Sequence, residues 1–362
     1  MDVSRLTGVL GARVDEVQLA PDMDPAVVTE LRDALCNHEV LVVPRQNLSA
    51  GQQAGFSHLL GDFSPVPFVQ PVPEHPEVIK VVKEATEPEA FNFGGVWHSD
   101  FSFLDAPPAF TILHALEVPK VGGDTIWASM TAAHDALPEE MRERFEEITC
   151  VHSASASYSP AQQALHSGLS GMDIRTSESA EDTRNHPLLC THPETGRRSL
   201  FFNGTYVRGL RGPGVGDDSE EGGREEKRLL SWLHEFSTHV RFTFRHRWSD
   251  GDVVLWDNRS TQHVALNDYG GQRRELHRTT VAGTEPTPSG HASGQPDGKP
   301  QSSRSNSIRA LVSHLPCPSR WRRAYNWSTI AVTGSVAPTR SASSKTMPRS
   351  LRIQSKANPW SK

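Results

Sequence analysis

Two side chains that could bind one metal ion stand close together in the first third of the chain. His98 and Asp100 are separated by a single residue, and residues i and i+2 of an extended strand project from the same face. One imidazole and one carboxylate could therefore reach the same ion. The spacing has little weight by itself, because the chain contains 17 His and the pattern recurs at 75/77 and 192/194. An isolated pair of this kind is more often a surface or strand-pairing dipeptide.

A third candidate ligand, His263, lies far downstream. It follows a predicted strand that ends at Trp256 and a polar turn at 257–262. Two His and one carboxylate form a facial triad, which leaves octahedral positions open. Iron(II) needs those positions to bind a chelating cosubstrate and dioxygen together. His98, Asp100 and His263 are therefore a candidate iron(II) site.

Two arginines follow His263 at a spacing that places them on one face of a strand. Arg274 and Arg278 alternate with Arg273, Glu275 and His277. Guanidinium groups aimed into a barrel are costly unless anions pair with them. A dicarboxylate cosubstrate and an anionic substrate would supply such anions, because Arg binds carboxylates as a planar fork. The alternative is a surface strand with alternating charge, and the arginines alone do not decide between the two.

Short strands and a few helices must position these residues. Helical spacing and capping residues predict helices over 24–37, 49–61 and 224–240. Two further helices are predicted to begin at Ser129 and Pro138. Apolar and β-branched runs predict strands over 39–43, 77–82, 109–118, 199–203, 240–244, 252–256 and 276–281. Early helices followed by many short strands favour a mainly β fold with flanking helices, a sandwich or jelly roll. No phosphate-binding or dinucleotide-binding glycine motif is present.

Composition limits the class of protein. The 362 residues include 37 Lys and Arg against 43 Asp and Glu, which argues against nucleic acid or an anionic membrane as the main partner. Four scattered Cys without a CxxC pair indicate neither a disulfide scaffold nor a zinc ribbon. No apolar run reaches the length of a membrane span or a targeting segment. We therefore expect a soluble cytoplasmic protein without a nucleic-acid or membrane partner.

The charge is unevenly distributed along the chain. Residues 286–362 carry 12 Lys and Arg against one acidic residue, Asp297. This segment is rich in Ser and Pro and shows no sustained periodicity, a composition that cannot bury enough apolar surface to fold. We expect one domain over 1–285 and a disordered basic tail over 286–362, interpreted as a non-functional extension or an altered reading frame.

Several motifs, in order and correctly spaced, resemble those of the taurine and 2,4-dichlorophenoxyacetate dioxygenase family, which depends on iron(II) and 2-oxoglutarate. The resemblance covers nearly all of 5–285. It is carried by LTGVLGAR at 6–13, LVVPRQNLS at 41–49, WHSDFSF at 97–103, GGDTIW at 122–127, THPETG at 191–196, GDVVLWDNRSTQH at 251–263 and RELHR at 274–278.

The resemblance implies a double-stranded β-helix, which is a distorted jelly roll, and it assigns roles to individual residues. The iron ligands fall on His98, Asp100 and His263. Thr125 and Arg274 would hold the far carboxylate of 2-oxoglutarate, and Arg278 would face the anionic group of the substrate. The enzyme would hydroxylate a small organic acid with dioxygen, releasing succinate and carbon dioxide. Many members of the family are dimers or tetramers, so a homo-oligomer is one option.

The sequence departs from taurine enzymes at the substrate pocket. Gly94 stands where those enzymes have Asn, and 65–73 lacks their His and Tyr. A sulfonate other than taurine, an alkyl sulfate or an aryloxyalkanoate fits these residues better. Two alternatives stay open at this point. One is a catalytically silent jelly-roll binding protein, against which the intact ligand set counts. The other is a cupin-type isomerase or hydrolase, which has no use for the paired arginines.

Overall fold

The computed structural model describes residues 1–88 and 92–289. The α-helices are α1 (Pro25–His38), α2 (Ala50–Leu60), α3 (Met130–Asp135), α4 (Glu139–Phe145), α5 (Ser155–Tyr158), α6 (Gln163–His166) and α7 (Glu220–Ser237). The strands are β1 (Asp2–Arg5), β2 (Ala12–Asp15), β3 (Val40–Val43), β4 (Pro71–Val72), β5 (His75–Lys83), β6 (Phe110–Glu117), β7 (Thr125–Ser129), β8 (Thr149–Ser153), β9 (Thr183–Pro187), β10 (Leu189–Thr191), β11 (Arg198–Leu200), β12 (Val207–Arg211), β13 (Thr243–His246), β14 (Val253–Asp257), β15 (Thr261–Ala265), β16 (Arg274–Val281) and β17 (Thr287–Pro288).

Eight strands form the major sheet, in the order β1-β2-β3-β14-β6-β16-β5-β4. Neighbouring strands are antiparallel except β2 and β3, which are parallel. All four residues of β3 are buried, because both faces of this sheet are covered. Leu41 and Val43 pack in the cluster with the helices, while Val40 and Val42 belong to a second cluster on the opposite face. This alternation follows from the two-residue period of a strand.

A minor sheet, in the order β13-β7-β15, packs against the major sheet. Trp127 of β7 and Phe244 of β13 meet Trp256 and Leu276 of the major sheet in one core cluster. Two further three-stranded sheets, β12-β8-β9 and β11-β10-β17, complete the strand set of the described residues. Two facing antiparallel sheets with helices outside them form a jelly roll, as the sequence analysis predicted.

Helices α1 and α2 cover the outer face of the major sheet and begin where the capping residues predicted. Asp24 accepts a hydrogen bond from the Ala26 amide at the start of α1, and Ser49 forms a capping box with Gln52 at the start of α2. Leu31, Leu35 and Phe56 are buried in the helix-side cluster. No helix within 1–88 and 92–289 is long and apolar enough to cross a membrane.

Three predicted elements differ from the structure by more than two residues at one end or both. Helix α7 begins at Glu220 rather than at 224, because Ser219 accepts a hydrogen bond from the Gly222 amide and caps it. The strand predicted over 240–244 starts as a 3-10 turn over Val240–Phe242 and becomes β13 only at Thr243. The strand predicted over 199–203 ends at Leu200. Most of the predicted tail lies outside the described residues, but Thr287 and Pro288 at its start pair with β10.

Candidate metal centre and substrate cavity

A short antiparallel bridge brings the two candidate histidine ligands together. The His98 amide donates to the His263 carbonyl at 3.0 Å, and the His263 amide donates to the His98 carbonyl at 2.7 Å. The two imidazole ring centroids are consequently 4.1 Å apart. His263 belongs to β15, whereas His98 forms only this isolated bridge. The expectation of a regular strand over 98–100 is therefore wrong, because the chain pairs at one residue and then turns.

The turn places Asp100 beside the two rings. Phe101 follows with φ of 46°, a left-handed conformation that a bulky residue rarely adopts and that costs about 1 kcal/mol or more. The Thr111 hydroxyl donates to Asp100 Oδ2 at 2.7 Å. Asn258 accepts from the Asp100 amide at 3.2 Å and donates to the Thr111 hydroxyl at 2.9 Å. Trp256 Nε1 donates to Asn258 Oδ1 at 3.0 Å, so the carboxylate is held by a network.

The donor atoms of the three residues converge and are available to a cation. One ligand atom from each of His98, Asp100 and His263 lies within 4.8 Å of the others, and all three residues are buried. His98 Nδ1 is 2.7 Å from the Val96 carbonyl, so Nδ1 carries the proton and the Nε2 lone pair faces Asp100 Oδ1 at 3.8 Å. Two imidazoles and one carboxylate are the donor set that suits non-haem iron(II).

Electrostatics keep this donor set in the protonation states that a cation requires. Burial and the neighbouring His98 lower the pKa of His263 well below its usual value, and burial lowers the pKa of His98. Burial opposes the ionisation of Asp100, but the charge of Arg278 and the hydrogen bond from Thr111 favour the carboxylate, and the pKa of that carboxyl is lowered. Both imidazoles are therefore neutral and the carboxylate is charged at neutral pH.

A cavity of about 170 Å³ opens beside these residues, lined by His98, Asp100 and Arg278 together with aromatic and aliphatic side chains. The Arg278 guanidinium donates through Nη1 to Asp100 Oδ1 at 3.0 Å. Its Nε and Nη2 atoms are buried and have no hydrogen-bond partner among the described residues. Its carbon Cζ lies 4.9 Å from the Phe101 ring centroid and 5.7 Å from that of Phe93.

Arg274 is four residues before Arg278 on β16 and projects from the same face of the strand. It is 5% exposed, and its Nε and Nη2 atoms likewise have no hydrogen-bond partner among the described residues. Trp248 connects it to Thr125: the Trp248 ring centroid is 5.7 Å from Arg274 Cζ, and Trp248 Nε1 donates to the Thr125 hydroxyl at 3.0 Å. Burial lowers the pKa of Arg274 to about 10, so the group is still charged at neutral pH. A buried cation with orphaned donors is suited to an anionic ligand.

A second buried cluster contains Cys36, His192 and Asp257, but its atoms are already engaged. His192 Nε2 is 2.9 Å from Asp257 Oδ2, and His192 Nδ1 accepts from the amides of Glu194 and Thr195. The Arg259 guanidinium donates to both oxygens of Asp257, at 2.9 and 2.6 Å. Burial raises the pKa of the Cys36 thiol to about 12, so no thiolate is present. This cluster is an internal ion-pair network rather than a cation site.

The structure brings four of the predicted site residues together at one cavity: His98, Asp100, His263 and Arg278. The other two, Thr125 and Arg274, form a second group joined through Trp248. Sequence reasoning did not identify the residues that hold Asp100. Thr111 and Trp256 are cross-strand partners in the pairing of β6 with β14, so their proximity depends on register. Asn258 lies inside the GDVVLWDNRSTQH motif, which could have indicated a role near the ligands. Trp248 carried no sequence signal beyond being aromatic.

Comparison with known proteins agrees with this geometry. Residues 2–280 match the family described as "Taurine catabolism dioxygenase TauD, TfdA family". An alkylsulfatase of Acinetobacter baylyi is 34% identical over 293 residues, covering 78% of this chain and 85% of the relative. An alpha-ketoglutarate-dependent sulfate ester dioxygenase of Pseudomonas putida is 33% identical over 287 residues, covering 79% and 91%.

Solved structures give the same result. A taurine dioxygenase from Burkholderia xenovorans superposes with a TM-score of 0.64 at 30% identity, covering 80% of this chain and 94% of that one. The structure of AAD-2 in complex with Mn(II) and N-oxalylglycine has a TM-score of 0.60 at 29% identity, covering 79% and 98%. With a matched family model over most of its length and a site that fits iron(II), this chain belongs to the TauD/TfdA family of alpha-ketoglutarate-dependent dioxygenases, oxidoreductases that use iron(II) and 2-oxoglutarate.

Proposed function

We propose that His98, Asp100 and His263 hold the iron(II) of this dioxygenase, and that Thr125 and Arg274 hold the far carboxylate of 2-oxoglutarate. Three converging buried donors support the first assignment. The orphaned Nε and Nη2 atoms of Arg274 support the second. When bound, the iron and 2-oxoglutarate supply the oxidising power that turns one substrate C–H bond into C–OH, with succinate and carbon dioxide as co-products.

The chain itself positions the reactants and excludes water. The network through Thr111 and Asn258 fixes the Asp100 carboxylate, so that one oxygen is taken by Thr111 and the other points toward the histidines. Arg274 fixes one end of the cosubstrate and Arg278 the anionic end of the substrate. With both ends held, the target carbon is kept near the metal, which is the contribution to rate that positioning can make.

The substrate we propose is an alkyl sulfate ester. The observation that carries this is Arg278, whose Nε and Nη2 atoms are buried donors without a partner at a cavity otherwise lined largely by apolar side chains. One anionic head group would satisfy these donors, and a charge-assisted bidentate contact would orient it. The alkylsulfatase and sulfate ester dioxygenase relatives support the same substrate class.

The rim of the cavity suits an apolar tail. Val96 is 57% exposed and Leu165 is 50% exposed, and both line the cavity. An alkyl chain leaving the cavity between these two side chains would remove their surface from water, worth about 25 cal/mol per Å² of apolar area buried. The arrangement favours a substrate with an anionic head inside and an aliphatic chain toward the opening.

The proposed reaction hydroxylates the carbon that carries the sulfate oxygen. One oxygen atom from dioxygen enters the C–H bond, and the other enters succinate as 2-oxoglutarate loses carbon dioxide. The hydroxylated carbon then carries both OH and O–SO₃⁻. It collapses to an aldehyde as the C–O bond to sulfate breaks, releasing inorganic sulfate and a proton.

The test is to incubate the iron-loaded protein with 2-oxoglutarate and a matched series: an n-alkyl sulfate, the n-alkanesulfonate of equal chain length, an aryloxyalkanoate and taurine. We expect succinate and sulfate in equal amounts with the alkyl sulfate, and slower turnover with the others. Faster succinate formation with another member of the series would reassign the substrate. The absence of substrate-dependent succinate with every member would favour a catalytically silent protein.

Three further expectations from the sequence stay predictions. These are a cytoplasmic location, the lack of a nucleic-acid or membrane partner, and a homo-oligomeric state as one option.

A further inference from the structure

Two tyrosines line the cavity beside Arg278, and the roles assigned above make no use of them. Tyr158 closes helix α5, and Tyr206 precedes strand β12. Both are 4% exposed and both line the cavity together with His98 and Asp100. A buried tyrosine hydroxyl needs a hydrogen-bond partner, since leaving it unpaired costs about 1–3 kcal/mol. The question is what these two hydroxyls bind.

Packing holds both rings in place. The Tyr158 ring stacks on Phe68 with centroids 5.0 Å apart. The Tyr206 ring meets Phe103 edge to face at 4.9 Å and lies 6.4 Å from the His98 ring. The Tyr206 amide also donates to Asn203 Oδ1 at 2.8 Å, which fixes the backbone beneath the ring. Rings fixed in this way place their hydroxyls with little freedom to move.

The hydroxyls are neutral donors next to a buried cation. Burial raises the pKa of Tyr158, while Arg278 and the Tyr206 hydroxyl act in the opposite direction without outweighing it. Burial raises the pKa of Tyr206 well above its usual value, and the interaction with Tyr158 adds to this. The two hydroxyls interact with each other. Two protonated hydroxyls that share one hydrogen bond keep a second proton, which can be donated into the cavity.

We propose that Tyr158 is a positioning residue that donates a hydrogen bond to the anionic head group of the substrate beside Arg278, and that Tyr206 orients the Tyr158 hydroxyl. This inference rests on the proposed function. Arg278 contributes the two donors not used by Asp100, and Tyr158 contributes a third from another element of the fold. The site would then present three donors, two from a planar guanidinium and one from a hydroxyl on a different element.

A third donor discriminates between head groups that have three terminal oxygens and those that have two. A sulfate ester has three terminal oxygens in a tetrahedral arrangement, and each could accept from one donor. A carboxylate has two oxygens in one plane, which the guanidinium fork alone satisfies. The Tyr158 hydroxyl therefore contributes to selection of a tetrahedral head group over a planar one, since specificity is a difference between two affinities.

The test compares Tyr158→Phe with the wild-type protein on two substrates, an n-alkyl sulfate and the n-alkanoate of matched length. A hydrogen bond to a charged group is worth about 10-fold or more in affinity. We expect KM for the alkyl sulfate to rise by about that factor, with a smaller change in kcat. KM for the alkanoate and for 2-oxoglutarate should stay unchanged. Tyr206→Phe should give a smaller rise that is also confined to the alkyl sulfate.

Calorimetric binding of the alkyl sulfate to the anaerobic iron and 2-oxoglutarate complex, for both proteins, separates the outcomes. If the wild type turns over the alkyl sulfate and Tyr158→Phe matches it on both substrates, this inference is wrong and the proposed function stands. If the wild type binds the alkyl sulfate in a Tyr158-dependent way without turnover, the head-group site stands and the proposed reaction is wrong. If the wild type neither binds nor oxidises it, both are wrong.

Discussion

Two buried clusters in this protein each combine histidine with aspartate, yet they differ in what their polar atoms already bind. In the cluster of Cys36, His192 and Asp257, both nitrogens of His192 and both oxygens of Asp257 have partners within the protein. In the cluster of His98, Asp100 and His263, both oxygens of Asp100 also accept hydrogen bonds, from Thr111 and Arg278. However, His98 Nε2 lies 3.8 Å from Asp100 Oδ1, beyond hydrogen-bond distance, and His263 Nδ1 has no partner among the described residues.

The difference shows how a ligand site is distinguished from a structural network of the same composition. Arg259 donates two hydrogen bonds to Asp257 from the same fork, so its charge already balances the carboxylate. Arg278 gives Asp100 only one, through Nη1 at 3.0 Å, and its Nε and Nη2 atoms have no partner among the described residues. The cluster of Cys36, His192 and Asp257 is therefore called the compensated cluster, because its charges are already balanced. The cluster of His98, Asp100 and His263 is called the incomplete cluster, because a cation could still bind there. We therefore place the ligand site at the cluster whose arginine keeps unsatisfied buried donors beside a cavity.

The largest expected effect comes from removing a ligand of the incomplete cluster. His263→Ala should lower iron-dependent turnover of 2-oxoglutarate by about 1,000-fold or more, because the metal supplies several kcal/mol of barrier lowering. Succinate formation measures this, and a melting curve checks that the variant folds. The matched control is His192→Ala, the same substitution in the compensated cluster, which should keep iron stoichiometry per folded chain. Turnover that survives His263→Ala would refute the ligand assignment.

The compensated cluster should instead matter for stability. Asp257→Ala leaves His192 Nε2 without its partner and leaves Arg259 paired with Glu194 alone, so we expect the free energy of unfolding to fall by about 3–5 kcal/mol. Urea titration of the metal-free protein at neutral pH measures it. Glu139→Ala breaks an exposed pair with Arg142 and should change the same quantity far less. Equal effects from the two substitutions would mean that the cluster contributes no special stability.

Arg273, just before β16, and Arg274, its first residue, offer a third comparison because their guanidinium groups have different surroundings. Arg274→Met removes a buried guanidinium that we assign to the cosubstrate, and should raise KM for 2-oxoglutarate by about 10- to 100-fold. Arg273→Met removes a guanidinium that binds Glu84, Glu117 and Glu275 instead. It should leave that KM nearly unchanged. Steady-state kinetics at saturating substrate distinguishes the two, and similar KM values for both variants would contradict the assignment.

The smallest expected effect concerns Glu39, a buried carboxyl whose negative charge would be only partly balanced by a neighbouring cation. Burial raises the pKa of Glu39 from 4.5 to about 7, although Arg197 Nη1 lies 3.4 Å away. The native state then holds a proton that the unfolded chain has lost, so the free energy of unfolding should fall by about 1–3 kcal/mol as pH rises through this window. Glu39→Gln should flatten that slope in urea titrations across the same pH range. An unchanged slope would mean that Glu39 titrates normally.

Asp257 should give a pH dependence of stability with the opposite sign to that of Glu39. Burial opposes its ionisation, but Arg259 and His192 outweigh burial and lower its pKa to about 2. Its contribution to stability is therefore present above the unfolded pKa of about 4 and is lost only as pH falls from there toward 2. The two carboxyls differ because Glu39 Oε2 has no partner among the described residues, whereas both oxygens of Asp257 do.

The sequence predicted the fold class and selected six candidate site residues, because both inferences depend on local pattern and on a distinctive set of ordered motifs. Asp24, Ser49 and Ser129 cap their helices as expected. His98 and Asp100 do lie close together, but they converge through a bridge and a turn rather than along the strand that their spacing predicted. Local periodicity cannot foresee such a turn.

What the sequence could not predict depends on contacts between distant segments. Asn258 reaches Thr111 across 147 positions, and only the register of β6 with β14 makes this contact possible. The pattern at 192/194 looks the same as that at 98/100 in the sequence. Only the structure shows that His192 turns to Asp257 instead. The position of Tyr158 beside Arg278 likewise depends on how α5 packs.

The most direct test of the central claim, that iron binds at the incomplete cluster and not at the compensated one, is an anaerobic titration of the metal-free protein. Iron(II) is added first and 2-oxoglutarate second, while the visible spectrum is recorded. We expect a weak charge-transfer band that needs both components, saturates at one iron per chain, disappears in His263→Ala and persists in His192→Ala. The absence of the band in folded protein, or its loss in His192→Ala with retention in His263→Ala, would contradict the claim.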